Sequence, residues 1–286
     1  MPVIVVTDST AGLRGELAGA SGLRIVPLHV LVGAEDYREG VDDVPPRAPK
    51  SDDYTSAGPS PGELEQVYAE ALDASGGDGV VAVHLSKALS GTWDAARQAA
   101  HRVGPRVRVV DSGGAGMTVG MPVLEAVRAA AGGASLDEVY DTAAAACARA
   151  FGVVYIHRLD DLRKGGRVGG AAMFVSSALS VRVLLRIGGG TLELRDKLRI
   201  PSKGMRKLVD HVVAELDAQP DGVRAELAVQ HWEAPDRAET LEQLLRERLG
   251  DEVTVHRGEF GPVLGLHLGA GAAGVSVLTA VGADGR

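Results

Sequence analysis

Short runs of apolar residues alternate with longer amphipathic stretches through the first half of the chain. Five runs have the length of buried strands, at residues 3–6, 23–32, 79–84, 107–110 and 152–157. The stretches between them are long enough for helices, and this alternation is typical of βαβ units around a mostly parallel sheet. We therefore predict an α/β fold whose N-terminal sheet is mostly parallel and flanked by helices.

The clearest helix of this half follows Ser60. Apolar side chains recur there at the spacing of one helical face, at Leu64, Val67, Tyr68, Ala71 and Leu72. Ser60 and Glu63 have the spacing of a capping box, and Pro61 takes the first helical position, where no backbone donor is needed. The pattern predicts that the helix begins directly after Ser60.

Beyond about residue 150 the apolar runs have mixed spacing and helices are fewer. The predicted strands are residues 181–187, 191–194, 198–200, 225–230, 253–257 and 275–278. Two helices are indicated near residues 208–216 and 241–249, the second with Asp236 and Glu239 spaced as a capping box. The chain of 286 residues is long enough for two domains, at roughly 100–200 residues each. We place an N-terminal α/β domain at residues 1–155 and a C-terminal α/β domain with a mixed sheet at residues 156–286, and predict a surface loop at 42–54.

Composition argues against several functional classes. A formal net charge of −8 is unsuited to broad nucleic-acid binding, which requires a basic surface. The one cysteine, Cys147, lies in an alanine-rich helical pattern and has no second thiol for a disulfide or a metal site. The N-terminal segment reads as a strand instead of a signal peptide, and no apolar run approaches the roughly 18 residues of a membrane span. We therefore expect a cytoplasmic protein.

Three signatures of enzymes or cofactor sites are weak. Residues 269–274 (GAGAAG) match a dinucleotide-binding glycine pattern, but only twelve residues follow them, too few for the rest of that motif. A tight glycine loop near a ligand fits better. Asp8 and Asp111 follow strands, yet the histidines show no metal-binding spacing, so we expect no metal or cofactor. A hydrolase using Asp8, Ser90 and His267 stays an alternative, although no nucleophile-elbow motif is present.

Polar residues come where the carboxyl edge of the parallel sheet is expected, which is where such sheets bind ligands. Segments 55–60 (TSAGPS) and 89–92 (LSGT) place hydroxyl groups before helix starts, where backbone N–H groups are unpaired and carry partial positive charge. These hydroxyls are either ordinary helix caps or part of a site for a carboxylate or phosphate. A locally basic region, residues 158–167 followed by further Arg and Lys up to Arg199, is either a solvated face or a docking patch for an acidic partner.

The order of several short motifs resembles the DegV family. The motifs are VTDSTAGL, IVPLHVLVG, YREGVD, TSAGPSPGELEQVY, LSGTW, VVDSGGAGMTVG, LRKGGRVG and GPVLGLHLGAGAAGV, which together extend over nearly the whole chain. Each motif alone is weak, whereas their succession is specific. The resemblance implies a two-domain protein that binds one fatty acid in an apolar tunnel between the domains and does no chemistry on it.

The resemblance also implies which residues hold the carboxylate. They are Thr55, Ser90 and His267, with Ser56, Gly91 and Thr92 as neighbours. The family pattern is TSQPS, and the extra residue in TSAGPS leaves the register open between Thr55 and Ser56. Trp93 stands where the family has Tyr or Phe. Some relatives present the acid to a partner fatty-acid kinase, in which case Arg167 and Arg199 would belong to the docking surface.

A fatty acid requires an apolar slot and one polar anchor. Each buried methylene contributes roughly 0.8 kcal/mol, so the acyl chain supplies most of the affinity and the anchor supplies orientation. A group of hydroxyls, amides and an imidazole holds a carboxylate without burying an unpaired cation. We therefore predict a non-catalytic carrier of one long-chain fatty acid, such as palmitate or oleate, and keep a small phosphatase or esterase in the same cleft as the alternative.

Overall fold

The computed structural model describes residues 2–46, 53–159, 162, 182–220, 223–250 and 253–280. Its helices in chain order are α1 (Pro61–Ala74), α2 (Thr92–Val103), α3 (Met117–Ala131), α4 (Leu136–Arg149), α5 (Gly204–Asp217), α6 (Pro235–Leu249) and α7 (Gly261–Leu268). Its strands are β1 (Ile4–Asp8), β2 (Leu23–Val26), β3 (His29–Val32), β4 (Glu35–Arg38), β5 (Tyr54–Ala57), β6 (Val80–His84), β7 (Val107–Asp111), β8 (Ala150–Ile156), β9 (Arg182–Gly188), β10 (Thr191–Leu198), β11 (Arg224–His231), β12 (Thr254–Glu259) and β13 (Ala273–Ala280).

The N-terminal sheet is parallel, with the strand order β2-β1-β6-β7. Every residue of the central strands β1 and β6 is buried, because helices cover both faces of the sheet. Ile4 and Val6 pack with α1 and α2, whereas Val5 packs with α3 and α4 on the other face. This confirms the predicted parallel sheet flanked by helices.

The C-terminal sheet has six strands in the order β10-β9-β8-β13-β11-β12. It is mixed, since β11 and β12 run parallel while the other neighbours run antiparallel. Helices α5 and α6 cover one face, and the other face meets the helical layer of α3 and α4. The mixed sheet agrees with the prediction. The division at residues 155 and 156 falls near the end of β8 and stays a proposal.

A small antiparallel sheet, β4-β3-β5, packs beside α7. The prediction of one strand over residues 23–32 was wrong, because β2 and β3 belong to different sheets. Pro27 separates them and has no N–H to continue a ladder. The backbone N–H of Leu28 donates to Ser9 Oγ at 2.9 Å, so the segment between β2 and β3 is held beside the residue that follows β1 and does not continue the ladder.

Two helix starts illustrate how far capping could be predicted. The Ser60–Glu63 box is confirmed, with Ser60 N donating to the Glu63 carboxylate at 2.8 Å and Glu63 N donating to Ser60 Oγ at 3.3 Å. The Asp236 box was wrong. Helix α6 begins at Pro235, two residues earlier than a cap at Asp236 requires, so the cap residue is Ala234, whose methyl group accepts no hydrogen bond.

Other predicted boundaries also change. Residues 191–194 and 198–200 were predicted as separate strands, but β10 is one strand to Leu198, with an irregularity between Leu194 and Asp196 that restores its pairing with β9. The predicted loop at 42–54 ends one residue early, because Tyr54 begins β5. Residues 47–52 of that loop lie outside the described residues.

Candidate functional site

A cavity lies between the six-stranded sheet and the carboxyl edge of the parallel sheet. Its walls come from β5, from the loops after β6 and β7, from β8 to β10, and from α7 and β13. Most of the lining is apolar and includes Leu85, Val154, Leu162, Ile187, Phe260 and Leu264. Among the described residues of the lining, the polar side chains are Ser56, Ser90, His267 and Ser276, and none is a carboxylate, Lys or Arg.

Ser56 and His267 meet in the wall of this cavity. The distance from Ser56 Oγ to His267 Nε2 is 2.8 Å, across 211 residues of sequence. Ser56 is carried by β5, which pairs with β3, and His267 is carried by the last turn of α7. Both side chains are partly buried, so the pair offers a hydroxyl and an imidazole beside an apolar space.

Thr55 does not line this cavity. It is exposed on β5, while Ser56 lines the cavity beside it, as the alternating side-chain directions of a strand require. The sequence left the register open between Thr55 and Ser56, and in the structure Ser56 is the residue next to His267.

Ser90 and Thr92 form the second hydroxyl group at the start of α2. Ser90 Oγ lies 2.9 Å from Thr92 Oγ1 and accepts a hydrogen bond from Thr92 N at 3.2 Å. Ser90 lines the cavity, Thr92 is buried, and Gly91 precedes the helix with an exposed backbone. Gly91 has no side chain to cap α2, so the N–H groups of the first turn after Thr92, whose own N–H donates to Ser90 Oγ, can face an anion.

Gly58 brings these two hydroxyl segments together. A Cβ atom at Gly58 would lie 2.6 Å from Thr92 Oγ1, closer than side chains pack. Only glycine allows this approach of the segment after β5 to the start of α2. The predicted residues Ser56, Ser90 and His267 therefore share one cavity wall, with Thr92 behind Ser90.

Asp8, which the hydrolase alternative requires, belongs to a different cluster. Asp8 Oδ2 lies 2.9 Å from His84 Nδ1 and accepts a hydrogen bond from Leu85 N at 3.0 Å. His84 Nε2 lies 2.7 Å from the hydroxyl oxygen of Tyr68, and burial raises the pKa of that phenol. The cluster is fully enclosed and holds the ends of β1 and β6, so the structure does not bring Asp8 to Ser90 and His267.

Asp111 also has structural partners. Its Oδ1 accepts hydrogen bonds from Gly113 N at 3.0 Å and Lys87 N at 3.2 Å, and its Oδ2 lies 3.4 Å from Lys87 Nζ. Within the described ranges, no group of three or more His, Cys, Asp or Glu side chains is placed to hold a metal ion. The helices in the same ranges include none with the length and apolar character to cross a membrane.

Glu39, which does not line the cavity, supports the helix that carries His267, and the sequence did not single it out. It is 4% exposed and accepts hydrogen bonds from Ser9 Oγ at 2.6 Å and from Val263 N at 2.9 Å. Val263 lies in the first turn of α7, so Glu39 caps the helix that carries His267. Gly261 has a φ of +81°, and a Cβ there would lie 2.6 Å from Glu39 Oε1, which explains glycine at this position.

Burial also affects the ionisation of this carboxyl. The loss of hydration raises the pKa of Glu39 above its ordinary value, although the hydrogen bonds from Ser9 and Val263 and the charge of Arg14 oppose the shift. No pattern in the sequence pointed to this contact, because its partners are 30 and 224 residues away.

The glycine segment at 269–274 forms a turn between α7 and β13. Gly269 and Gly271 have φ values of +77° and +87°, and Gly274 lies within β13 on the cavity wall. The segment therefore leads into a strand where a dinucleotide motif would open a helix. A tight glycine turn beside a cavity agrees with the prediction from its sequence.

The basic region is only partly described. Arg186 Nε donates to the Glu215 carboxylate at 2.8 Å, and Arg195 lies 3.5 Å from the same group, so part of the positive charge is neutralised. Arg199 is exposed after the end of β10. Arg167 lies outside the described residues.

Comparisons with known proteins agree with this architecture. A family model described as "Uncharacterised protein, DegV family" matches residues 2–280. A DegV domain-containing protein of Mycobacterium tuberculosis is 44% identical over 277 residues, which is 97% of each chain.

Two solved structures share the fold over nearly their full length. The crystal structure of a DegV family protein from Corynebacterium glutamicum is 36% identical, has a TM-score of 0.84, and the match covers 99% of this chain and 100% of that one. A DegV family protein from Thermus thermophilus, described for its fatty acid binding, is 29% identical, has a TM-score of 0.85, and is matched over 98% of this chain and 100% of its own. The chain therefore belongs to the DegV family.

Proposed function

We propose that this protein binds a single long-chain fatty acid in the cavity and does not transform it. The observation that carries the proposal is an apolar cavity with Ser56, Ser90 and His267 in its wall. The carboxylate accepts hydrogen bonds from the two hydroxyls, from His267 and from the N–H groups that begin α2. The acyl chain then lies against the six-stranded sheet, in a tunnel between the proposed domains at residues 1–155 and 156–286.

The chemistry of the cavity fits this ligand class. Each methylene taken from water contributes roughly 0.8 kcal/mol, so the apolar walls supply most of the affinity. A neutral anchor suits a carboxylate, because hydroxyls and N–H groups stabilise the anion without leaving an unpaired cation in the empty site. Fatty acid binding by the relative from Thermus thermophilus supports the assignment of the same ligand class to this chain.

Mass spectrometry of the organic extract from purified, denatured protein tests this proposal. We expect about one equivalent of a long-chain fatty acid, or the uptake of one equivalent of added oleate or palmitate after delipidation. Protein that carries no lipid and takes up neither acid would contradict the proposal. As a matched control, Thr55→Ala should retain the ligand, since Thr55 is exposed outside the cavity.

We further propose that the protein presents the bound acid to a partner fatty-acid kinase, which phosphorylates the carboxylate. The family resemblance supports this role, and the exposed Arg199 supplies positive charge for a docking surface that we also assign to Arg167. The substitution Arg199→Glu should reduce acyl-phosphate formation by such a kinase with ATP and leave fatty-acid affinity unchanged. Unchanged turnover with Arg199→Glu would remove Arg199 from the docking surface.

A hydrolase is the second candidate, favoured by the 2.8 Å contact between Ser56 Oγ and His267 Nε2. Serine hydrolases pair a nucleophile and a general base in this way. A fluorophosphonate probe distinguishes the two functions, with Ser56→Ala as the control. Covalent labelling that Ser56→Ala abolishes would favour an esterase, whereas an unlabelled protein that retains oleate supports the carrier.

A further inference from the structure

A hydroxyl group stands in the apolar wall of the cavity, apart from the carboxylate anchor. It belongs to Ser276 on β13, which lines the cavity and is 6% exposed. Ser276 shares its face of the sheet with Gly274 and Leu278, because side chains alternate along a strand. Leu278 packs in the core with α3 and α4, so this face is turned toward the N-terminal half.

The strands beside Ser276 offer its hydroxyl no partner. Its cross-strand neighbours are Gly152 on β8 and Ala228 on β11, and neither has a side chain that accepts a hydrogen bond. Within the described part of the chain, the Ser276 side chain makes no hydrogen bond. The Ser276 hydroxyl is open to the cavity, so an acyl chain that fills the cavity would remove it from water, and a saturated chain would offer it no hydrogen bond in exchange.

The position of Ser276 separates it from the carboxylate. Ser56, Ser90 and His267 are carried by β5, the loop before α2 and α7, whereas Ser276 lies inside the six-stranded sheet. Along β13 it lies two residues beyond Gly274, about 7 Å further from the turn that follows α7. An acyl chain that extends from the anchor along the sheet therefore brings a carbon of its middle section to Ser276.

We propose that Ser276 determines ligand specificity and selects acyl chains that carry a hydroxyl group at a mid-chain carbon. This inference rests on the proposed fatty-acid binding. The ligand hydroxyl and the Ser276 hydroxyl each act as donor and acceptor, so one hydrogen bond satisfies both groups. The ligand class is thus a monohydroxylated long-chain fatty acid.

Affinities measured by displacement of a fluorescent fatty acid test this inference. The probes are stearic acid, oleic acid and a series of stearic acids with one hydroxyl at successive mid-chain carbons. The measured quantity is the affinity for each hydroxylated acid divided by that for stearic acid, in the wild type and in Ser276→Ala. This ratio cancels effects common to both ligands, as in a double-mutant cycle. For one position of the hydroxyl, we expect the ratio to fall about threefold to tenfold in Ser276→Ala.

Thr279→Val is the matched control, since Thr279 is a buried hydroxyl residue of β13 that does not line the cavity. This variant should keep the ratio of the wild type. If the affinity ratios of the wild type and Ser276→Ala are equal for every hydroxyl position, the role of Ser276 is overturned. The proposed function stays intact in that case, provided that the wild type binds stearic or oleic acid. If Ser276→Ala lowers the affinity for oleic acid alone, then Ser276 recognises a cis double bond. That result would also overturn the hydroxyl assignment. A wild type that binds none of the acids would contradict both proposals.

Discussion

Ser56 and Thr55 differ by one position on β5, and that one position decides which hydroxyl lies beside the ligand. Ser56 Oγ is 2.8 Å from His267 Nε2, whereas Thr55 is exposed. A shift of one residue in the pairing of β5 with β3 would exchange the two side chains. The register in which Ser56 is opposite Val30 therefore fixes the composition of the anchor.

Substitution of these neighbouring hydroxyls tests the register. Ser56→Ala should weaken oleate binding by about 1–3 kcal/mol, because it removes a hydrogen bond to a charged carboxylate. Ser90→Ala should have an effect of similar size, and Thr55→Ala should leave the affinity unchanged. Displacement of a fluorescent fatty acid measures all three. A loss of affinity in Thr55→Ala with none in Ser56→Ala would place the opposite face of β5 toward the ligand.

The sequence indicated the hydroxyl segments of the site but not which hydroxyl faces the cavity. TSAGPS and LSGT were recognisable because they precede helix starts. The choice between Thr55 and Ser56 depends on β5, which lies just after a charged, proline-rich stretch and has no strong apolar alternation. Glu39 was missed because its hydrogen-bond partner Val263 is 224 residues away, and a sequence read locally does not bring them together.

Among the elements, α7 has the most direct influence on the anchor. This short helix begins at Gly261 and carries His267 in its last turn. Its first turn is capped by Glu39, which follows β4, and its Val263 side chain packs with Leu28 and the small antiparallel sheet. The orientation of His267 therefore depends on a buried carboxyl group at the other end of its helix.

The substitution Glu39→Gln tests this cap through the pH dependence of stability. Burial raises the pKa of Glu39 in the folded state above the ordinary 4.5, so the folded protein holds this proton more tightly than the unfolded chain. The stabilisation by protonated Glu39 is fully present below pH 4.5 and is lost as the pH rises through the raised pKa. At low pH we expect Glu39→Gln to have nearly the unfolding free energy of the wild type, because the amide, like the protonated carboxyl, offers one acceptor oxygen and one donor.

Urea denaturation at a series of pH values measures this difference between the wild type and Glu39→Gln. As the pH rises above 4.5, the wild type should lose stability relative to Glu39→Gln, because the wild-type carboxyl ionises in a buried site and the amide does not titrate. Glu35→Gln, on the exposed side of β4, is the control and should match the wild type throughout. A stability difference that does not change with pH would show that Glu39 does not hold its proton more tightly in the folded state than in the unfolded chain.

Elements with strong local patterns were predictable, and elements that depend on distant partners were not. The buried strands β1 and β6, the partly buried strand β7 and the capped helix α1 follow from apolar runs and from the Ser60 box. The split of 23–32 into β2 and β3 depends on Pro27 and on a hydrogen bond to Ser9 Oγ. Two neighbouring helix starts were possible from the sequence, one capped by Asp236 and one beginning at Pro235. The structure has the second.

At the scale of the whole molecule, the cavity lies between two sheets that share the helical layer of α3 and α4. The parallel sheet packs with α1 to α4, and the mixed sheet packs with α5 and α6 on its far face. Alternating strands and helices predicted the parallel sheet, and apolar runs of mixed spacing with fewer helices predicted the mixed one. The cavity between them arises from loops, β5 and α7, whose positions depend on how the two sheets pack together, and that packing is not encoded in any local pattern.

A ligand that contacts both walls should stabilise both halves together. At a free oleate concentration of 100 times the dissociation constant, binding to the folded state alone adds about 2.7 kcal/mol to the unfolding free energy. The two tryptophans report each half, since Trp93 lies in α2 and Trp232 follows β11 and packs beside Leu264 of α7. Trp232→Phe leaves Trp93 as the reporter, and Trp93→Phe leaves Trp232.

We expect oleate to move the urea midpoint of both single-tryptophan variants upward by the same free energy. The same additions to Ser56→Ala should move the midpoints less, in proportion to the lost affinity, which separates binding at the anchor from nonspecific detergent effects. A shift seen only by Trp232 would mean that the ligand contacts the C-terminal sheet and α7 alone. In that case the loops after β6 and β7 would not form a wall of the occupied site, and the ligand would not link the two halves of the chain.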